Sequence, residues 1–291
     1  MAGIVQKLSW RANLLKKALL SFRATDWRGV FREIFSSHSR EHMYPRPLLL
    51  EKDGDLGLFQ VADRKVWFPL AFDPSFLGFV YDEIFAQKVY EWGPCVVCPG
   101  DWVVDAGACE GFFSLYALEK GASVLAFEPI PEIARALERT LEPFIASGRA
   151  KVFPLGLGRE RWKEKTMFVT VNDKFGVAAS TFSEIKMAFW SHDTSRAEKK
   201  ALYVTSLDAL LTSGALPSIS FIKADVEGYE RELLLGAEET IRRFHPKLSI
   251  CTYHLPDDWK VIPGIIRGFG VEYRVKFRGG FFVHVYGWWK E

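Results

Sequence analysis

From Asp101 onward the chain alternates short apolar runs with longer segments of helical period, and this alternation constrains the fold more than any other feature. Short continuous apolar runs suit strands buried on both faces, and helices between them supply the crossovers that a parallel sheet requires. The pattern predicts strands at residues 102–105, 123–127, 151–155, 202–210, 218–225 and 248–253, with helices over 111–120, 131–141 and 230–244. The rhythm then breaks. Residues 271–278 alternate apolar and charged side chains, Gly279-Gly280 can make a two-residue turn, and an apolar run returns at 281–286. The expectation over residues 99–291 is an α/β, doubly wound, mostly parallel sheet closed by an antiparallel hairpin.

In such sheets a ligand lies beyond the carboxyl ends of the central strands, where the strand order reverses. The first strand runs into Asp105-Ala106-Gly107-Ala108-Cys109-Glu110-Gly111. Gly107 permits a tight turn close to a ligand, and Gly111 permits the next helix to pack close to its strand. No G-x-G-x-x-G is present and no pyrophosphate cradle is evident, so a ligand without phosphates fits better. Glu128, 23 residues after Asp105, ends the second strand, where a carboxylate can accept two hydrogen bonds from the ribose hydroxyls of a nucleoside. Asp105 would orient an ammonium group, directly or through the Gly107 loop. Phe112 and Tyr253 could offer aromatic faces to a cation, with core packing as the alternative for Phe112.

Lys223, Asp225 and Glu227 alternate by two, which on a strand places them on one face. A lysine in such apolar surroundings needs a partner, so an ion pair bracing the strand end is expected for Lys223. Asp225 and Glu227 reach the mouth of the pocket. His254 closes the last parallel strand at the same edge, where a neutral imidazole could take a proton. The alternative is that Asp225, Glu227 and His254 bind a divalent metal. The long segment 172–196 is expected to form a lid or acceptor wall, with Ser180 and Thr181 near the donor or serving as helix caps.

Taken in order, Val104-Asp105-Ala106-Gly107-Ala108 with Gly111, Phe127-Glu128-Pro129, Thr205-Ser206-Leu207-Asp208, and the run from Phe221 through Lys223-Ala224-Asp225-Val226-Glu227-Gly228 to Glu230 resemble the marks of the FkbM family. The likeness spans roughly residues 66–286 and departs from the family at Cys109 and Glu110. It implies a class I methyltransferase sheet that uses S-adenosylmethionine, releases S-adenosylhomocysteine, and methylates a hydroxyl of a sugar, glycan or secondary metabolite. N-methylation of an amide in a peptide or natural product, or a non-catalytic binding module, are the alternatives. The implied donor-binding residues are Asp105, Gly107, Ala108, Gly111, Phe112, Glu128, Pro129, Ser180 and Asp225. Asp225, Glu227 and His254 are implied for catalysis.

Ahead of this domain lie a small β meander and helix cap at 47–98 and a leader at 1–46. The leader carries two amphipathic patterns and nine Lys or Arg against three acids, so the net +2 of the chain divides into +6 there and −4 in the body. Its apolar stripes suit packing on the body or on a second subunit as a homodimer, and its basic face suits peripheral contact with an anionic membrane. A net-acidic body without a basic, aromatic-interleaved patch disfavours nucleic acid as substrate. Lys16 and Lys17 interrupt the most apolar early run, which argues against a membrane span or secretory signal. Four cysteines are too few for a disulfide framework, and Cys95-x-x-Cys98 has no second pair for a metal site. A cytoplasmic setting follows as the expectation.

Overall fold

The computed structural model describes residues 44–170, 180–183, 197–278 and 284–289. Nearly all of the leader, most of the 172–196 segment and the Gly279-Gly280 turn fall outside these residues.

Strands β1 (Leu48–Asp53), β2 (Leu56–Val61) and β3 (Arg64–Pro69) form the antiparallel meander expected within residues 47–98. A 3-10 turn at Pro74–Phe76, α1 (Leu77–Tyr81) and a π-helical turn at Asp82–Gln87 follow. Next come β4 (Trp102–Ala106), α2 (Phe112–Glu119), β5 (Ser123–Phe127), α3 (Pro131–Ala146) and β6 (Ala150–Phe153). Strands β7 (Gly156–Leu157), β8 (Lys163–Thr170) and β9 (Ala197–Thr205) make a small separate sheet in the order β7-β9-β8. The chain then continues with α4 (Leu207–Thr212), β10 (Phe221–Ala224), α5 (Glu230–Leu235), α6 (Glu238–Phe244), β11 (Lys247–Cys251), α7 (Asp258–Gly268), β12 (Tyr273–Arg278) and β13 (His284–Trp289).

The central sheet has the order β12-β13-β11-β10-β4-β5-β6. The five strands from β11 to β6 are parallel, and β13 runs antiparallel to both β11 and β12. The order reverses at β4, which has β5 on one side and β10 on the other, so the crevice for a ligand opens at the carboxyl ends of β4 and β10. Side chains alternate between two apolar layers. Val103 and Phe221 join Phe113 and Leu118 on one face, together with Phe59 and Phe68 of the meander. On the other face Val104 and Ile222 pack with Leu234, Ile241 and Leu248. The meander also grips α3: Trp67 N donates to Thr140 Oγ1 (2.8 Å), and the Arg139 guanidinium lies 4.5 Å above the Trp67 ring.

Three elements depart from the sequence reading. The strand expected at 202–210 ends at Thr205, because the Ser206 hydroxyl accepts from Ala209 N (3.1 Å) and caps α4. The helix expected at 230–244 divides into α5 and α6 at Gly236, where a Cβ would stand 1.9 Å from the Gly158 carbonyl oxygen. Strand β10 stops at Ala224, and Glu227 adopts a left-handed backbone (φ 56°), so the two-residue alternation does not reach it. Among the described residues no helix is long and apolar enough to cross a membrane.

Candidate active site

The pairing of β4 with β10 sets Lys223 directly opposite Asp105. Lys223 Nζ lies 3.0 Å from Asp105 Oδ1 and donates to the carbonyl oxygens of Gly107 (2.7 Å) and Ala106 (3.3 Å). Ser114 Oγ donates to the other Asp105 oxygen at 2.7 Å. Asp105 is fully buried, with Lys223 at one oxygen and Ser114 at the other. Burial opposes the charge on Lys223, but Asp105 and Asp225 outweigh it and hold its pKa above the ordinary value. The expected ion pair at the strand end is therefore this one.

The loop after β4 is built by close backbone approach. Gly107 has φ +72°, and a Cβ there would lie 2.0 Å from the backbone oxygen of Asp225. The amides of Gly107 and Ala108 both donate to Phe127 O, at 3.0 and 3.1 Å, which fastens the loop to the end of β5. Gly111 rests against Leu137 of α3. The Phe112 ring is fully buried, edge-on to Tyr81 (5.9 Å) and Phe85 (6.0 Å), so it packs in the core and only its backbone faces the loop. Glu128 accepts hydrogen bonds from Cys109 N (3.2 Å) and, past the half-buried Pro129, from Ile130 N (2.9 Å). Burial raises its pKa to about 7, against the pull of those two amides.

Beyond β10 and β11 lies a second cluster. Asp225 accepts from the hydroxyls of Tyr90 (2.5 Å) and Tyr253 (3.2 Å), and His254 Nε2 stands 3.5 Å from it. The same Nε2 is 3.2 Å from Glu227 Oε2, while His254 Nδ1 donates to Glu230 Oε1 at 2.8 Å. Glu230 is held in turn by the amides of Val226 (2.9 Å) and Gly228 (3.0 Å). Burial disfavours an imidazolium, but Glu230 and Glu227 raise the His254 pKa to about 10. His254 is thus cationic near neutrality, where the sequence reading expected a neutral imidazole. Burial likewise disfavours the Asp225 anion, yet His254, Lys223 and Tyr90 lower its pKa to about 2. Such a carboxylate is a weak base.

One potential ligand atom each from Asp225, Glu227 and His254 lies within 4.8 Å of the others, so the three could also hold a divalent cation. Thr181 Oγ1 donates to the Glu227 carbonyl at 2.5 Å, which places Thr181 beside the Asp225, Glu227 and His254 cluster, with the buried Ser180 next to it in the chain. Tyr90 and Glu230 were not singled out from sequence. Glu230 stands within a recognisable motif, but Tyr90 lies where no pattern marks it.

The pattern of the family described as Methyltransferase FkbM domain matches residues 105–275, well over half of the chain. The chain belongs to the FkbM methyltransferase family. Its parallel sheet with a terminal antiparallel hairpin is accordingly a class I methyltransferase sheet. Among curated relatives, AMB antimetabolite synthetase AmbE of Pseudomonas aeruginosa is 30% identical over 187 residues, which cover 55% of this chain and only 9% of AmbE. Methyltransferase 1 of Beauveria bassiana is 30% identical over 174 residues, 55% of this chain and 67% of the relative. The 31-O-demethyl-FK506 methyltransferase FkbM of Streptomyces tacrolimicus is 28% identical over 180 residues, 55% of this chain and 68% of the relative. The FkbM match contains Asp105, Glu128, Lys223, Asp225, Glu227, Glu230 and His254, whereas Tyr90 enters the site from outside it.

Proposed function

We propose that this FkbM methyltransferase uses S-adenosylmethionine to methylate a hydroxyl group of a sugar, glycan or secondary metabolite. The observation that carries the reading is the close backbone approach of Gly107 to Asp225, which sets the loop after β4 beside the cluster of carboxylates and imidazolium. The donor loop suits the cofactor chemically. Glu128 is a buried carboxyl at the end of β5, where each oxygen accepts one amide and keeps a lone pair for a ribose hydroxyl. The backbone of Gly107, Ala108 and Gly111 would line the amino-acid end, and Gly107 packs so closely on the Asp225 backbone that no side chain fits there. S-adenosylmethionine, when bound, supplies an electrophilic methyl group on a sulfonium.

The remaining work falls to the chain. Alignment of the acceptor oxygen contributes much of the rate in an in-line displacement. Glu227, half-buried with Oε2 3.2 Å from His254 Nε2, is the carboxylate assigned here as the proton acceptor. Asp225 stays anionic under its tyrosine clamp, and the imidazolium of His254 stabilises negative charge developing on the acceptor oxygen. The name of the S. tacrolimicus relative, an O-demethyl substrate methyltransferase, favours oxygen over nitrogen as the acceptor.

The test is a mass-spectrometric screen of hydroxylated sugars and secondary metabolites for a product one methylene heavier, followed by Glu227→Gln. That variant should lower kcat by about 10² to 10⁴ while leaving donor affinity nearly intact. Full turnover by Glu227→Gln would remove it as the base, and loss of activity with a chelator, restored by Mg²⁺, would assign proton removal to a metal-assisted route instead.

A further inference from the structure

Glu227 holds a backbone conformation that its residue type disfavours. Its φ of 56° lies in the left-handed region, which a non-glycine residue keeps only where its surroundings compensate, and such positions concentrate at functional sites. Gly228 follows with φ 92°, so two left-handed residues stand in succession where the chain leaves β10. This turn brings the Glu227 carboxylate against His254, with Oε2 3.2 Å from Nε2. An extended residue at 227 would continue the alternation of the strand and direct the side chain elsewhere.

The peptide that joins Glu227 to Gly228 is held at both ends. Its N–H, on Gly228, donates to Glu230 Oε2 at 3.0 Å, and its carbonyl, on Glu227, accepts from Thr181 Oγ1 at 2.5 Å. The peptide plane cannot turn over without breaking both bonds. Thr181 is fully buried, and Ser183 N donates to the same hydroxyl oxygen at 2.9 Å, which leaves the one hydroxyl proton for Glu227. Thr181 is itself anchored, because its amide and carbonyl pair with the carbonyl and amide of Phe168 in β8, each at 2.9 Å. The adjacent Phe182 ring packs 5.6 Å from the Tyr229 ring, so residues 181–183 lie directly against the turn. Glu230 braces the turn from its own segment, whereas Thr181 reaches it from a stretch 46 residues earlier.

We infer that Thr181 is a positioning residue for proton removal: its hydroxyl holds the peptide between Glu227 and Gly228 and thereby keeps the Glu227 carboxylate against His254. The inference rests on Glu227 being the proton acceptor, as proposed above. Thr181 acts through Glu227 and not on the reacting atoms. Valine would fill the same volume without the donor, and serine would keep the donor while losing only a methyl group.

Crystal structures of the full-length wild type, Thr181→Val and Thr181→Ser test the geometry. In the valine variant residue 227 should leave the left-handed region and its carboxylate should withdraw from His254, whereas the serine variant should keep both. A valine variant with Glu227 still left-handed against His254 overturns the inference. With the acceptor found by the screen, Thr181→Val should lower kcat by about ten- to hundredfold, with acceptor KM and donor affinity changed less than about twofold, and Thr181→Ser should recover most of the loss. In a Glu227→Gln background Thr181→Val should cost no further turnover, because the two residues act as one unit. A loss of the same size in that background, or a loss of donor affinity, would mean a general structural role and overturns the inference. Full turnover by Thr181→Val beside a slow Glu227→Gln overturns the inference alone, and full turnover by Glu227→Gln removes the proton-acceptor reading and the inference with it. Should the valine variant not fold, Thr181→Ala is measured in its place.

Discussion

At the scale of single residues, the Lys223 to Asp105 pair bears the most weight. It closes β4 onto β10 and holds the carbonyl oxygens of Ala106 and Gly107. Lys223→Met should leave Asp105 buried without its cation and cost about 3 to 5 kcal/mol in urea unfolding. A loss below about 1 kcal/mol would mean that water or Ser114 can replace the lysine. Asp105, Glu128 and the need of Lys223 for a partner were legible in the sequence, because a charge inside an apolar run has few ways to be tolerated. The charge state of His254 was not legible. It depends on Glu227 and Glu230 converging on one ring, and no spacing states that two carboxylates and a histidine will meet. Tyr90 was hidden for a related reason: it reaches the site by tertiary packing from a segment whose pattern marks no function.

At the scale of elements, the alternation of strands and helices predicted the parallel sheet and its closing hairpin, because burial on both faces imposes continuous apolar runs. It erred where a neighbour, not the local pattern, ends an element. The apolar stripe at 230–244 reads through Gly236, yet the chain breaks there because the Gly158 backbone occupies the space a side chain would need. Gly236→Ala should therefore destabilise the protein by about 1 to 3 kcal/mol, since a rigid backbone oxygen cannot move aside as a side chain would. Chemical denaturation will check this, and an unchanged midpoint would show that the contact between 158 and 236 can relax freely. The small sheet of β7, β8 and β9 was also only partly foreseen: β9 overlaps the strand expected at 202–210, but β8 has a mixed, charged sequence that periodicity alone does not separate from a loop.

At the scale of the whole molecule, stability and pH are linked through the buried acids. Glu110 and Glu128 have pKa values raised by burial to about 6 and about 7, above their ordinary 4.5. The folded chain therefore binds these protons more tightly than the unfolded chain does. Their contribution is fully present below the ordinary carboxyl range and is lost as pH rises through about 7. The melting temperature of the ligand-free protein should fall between about pH 5 and about pH 8, and Glu128→Gln should flatten that decline. A wild-type profile that rises across the same interval would place the linkage elsewhere.

The seam between residues 107 and 225 has a consequence for how such a protein can diverge. A side chain at 107 would collide with backbone, not with a side chain that a second substitution could shorten. The loop after β4 and the end of β10 thus meet backbone to backbone, and neither can be redesigned there without disturbing the other. On the proposed reading, room to suit a new acceptor lies instead in parts that touch the site only through side chains, such as Tyr90 and Tyr253 around Asp225. An enzyme built this way can change what it methylates while leaving the source of the methyl group fixed.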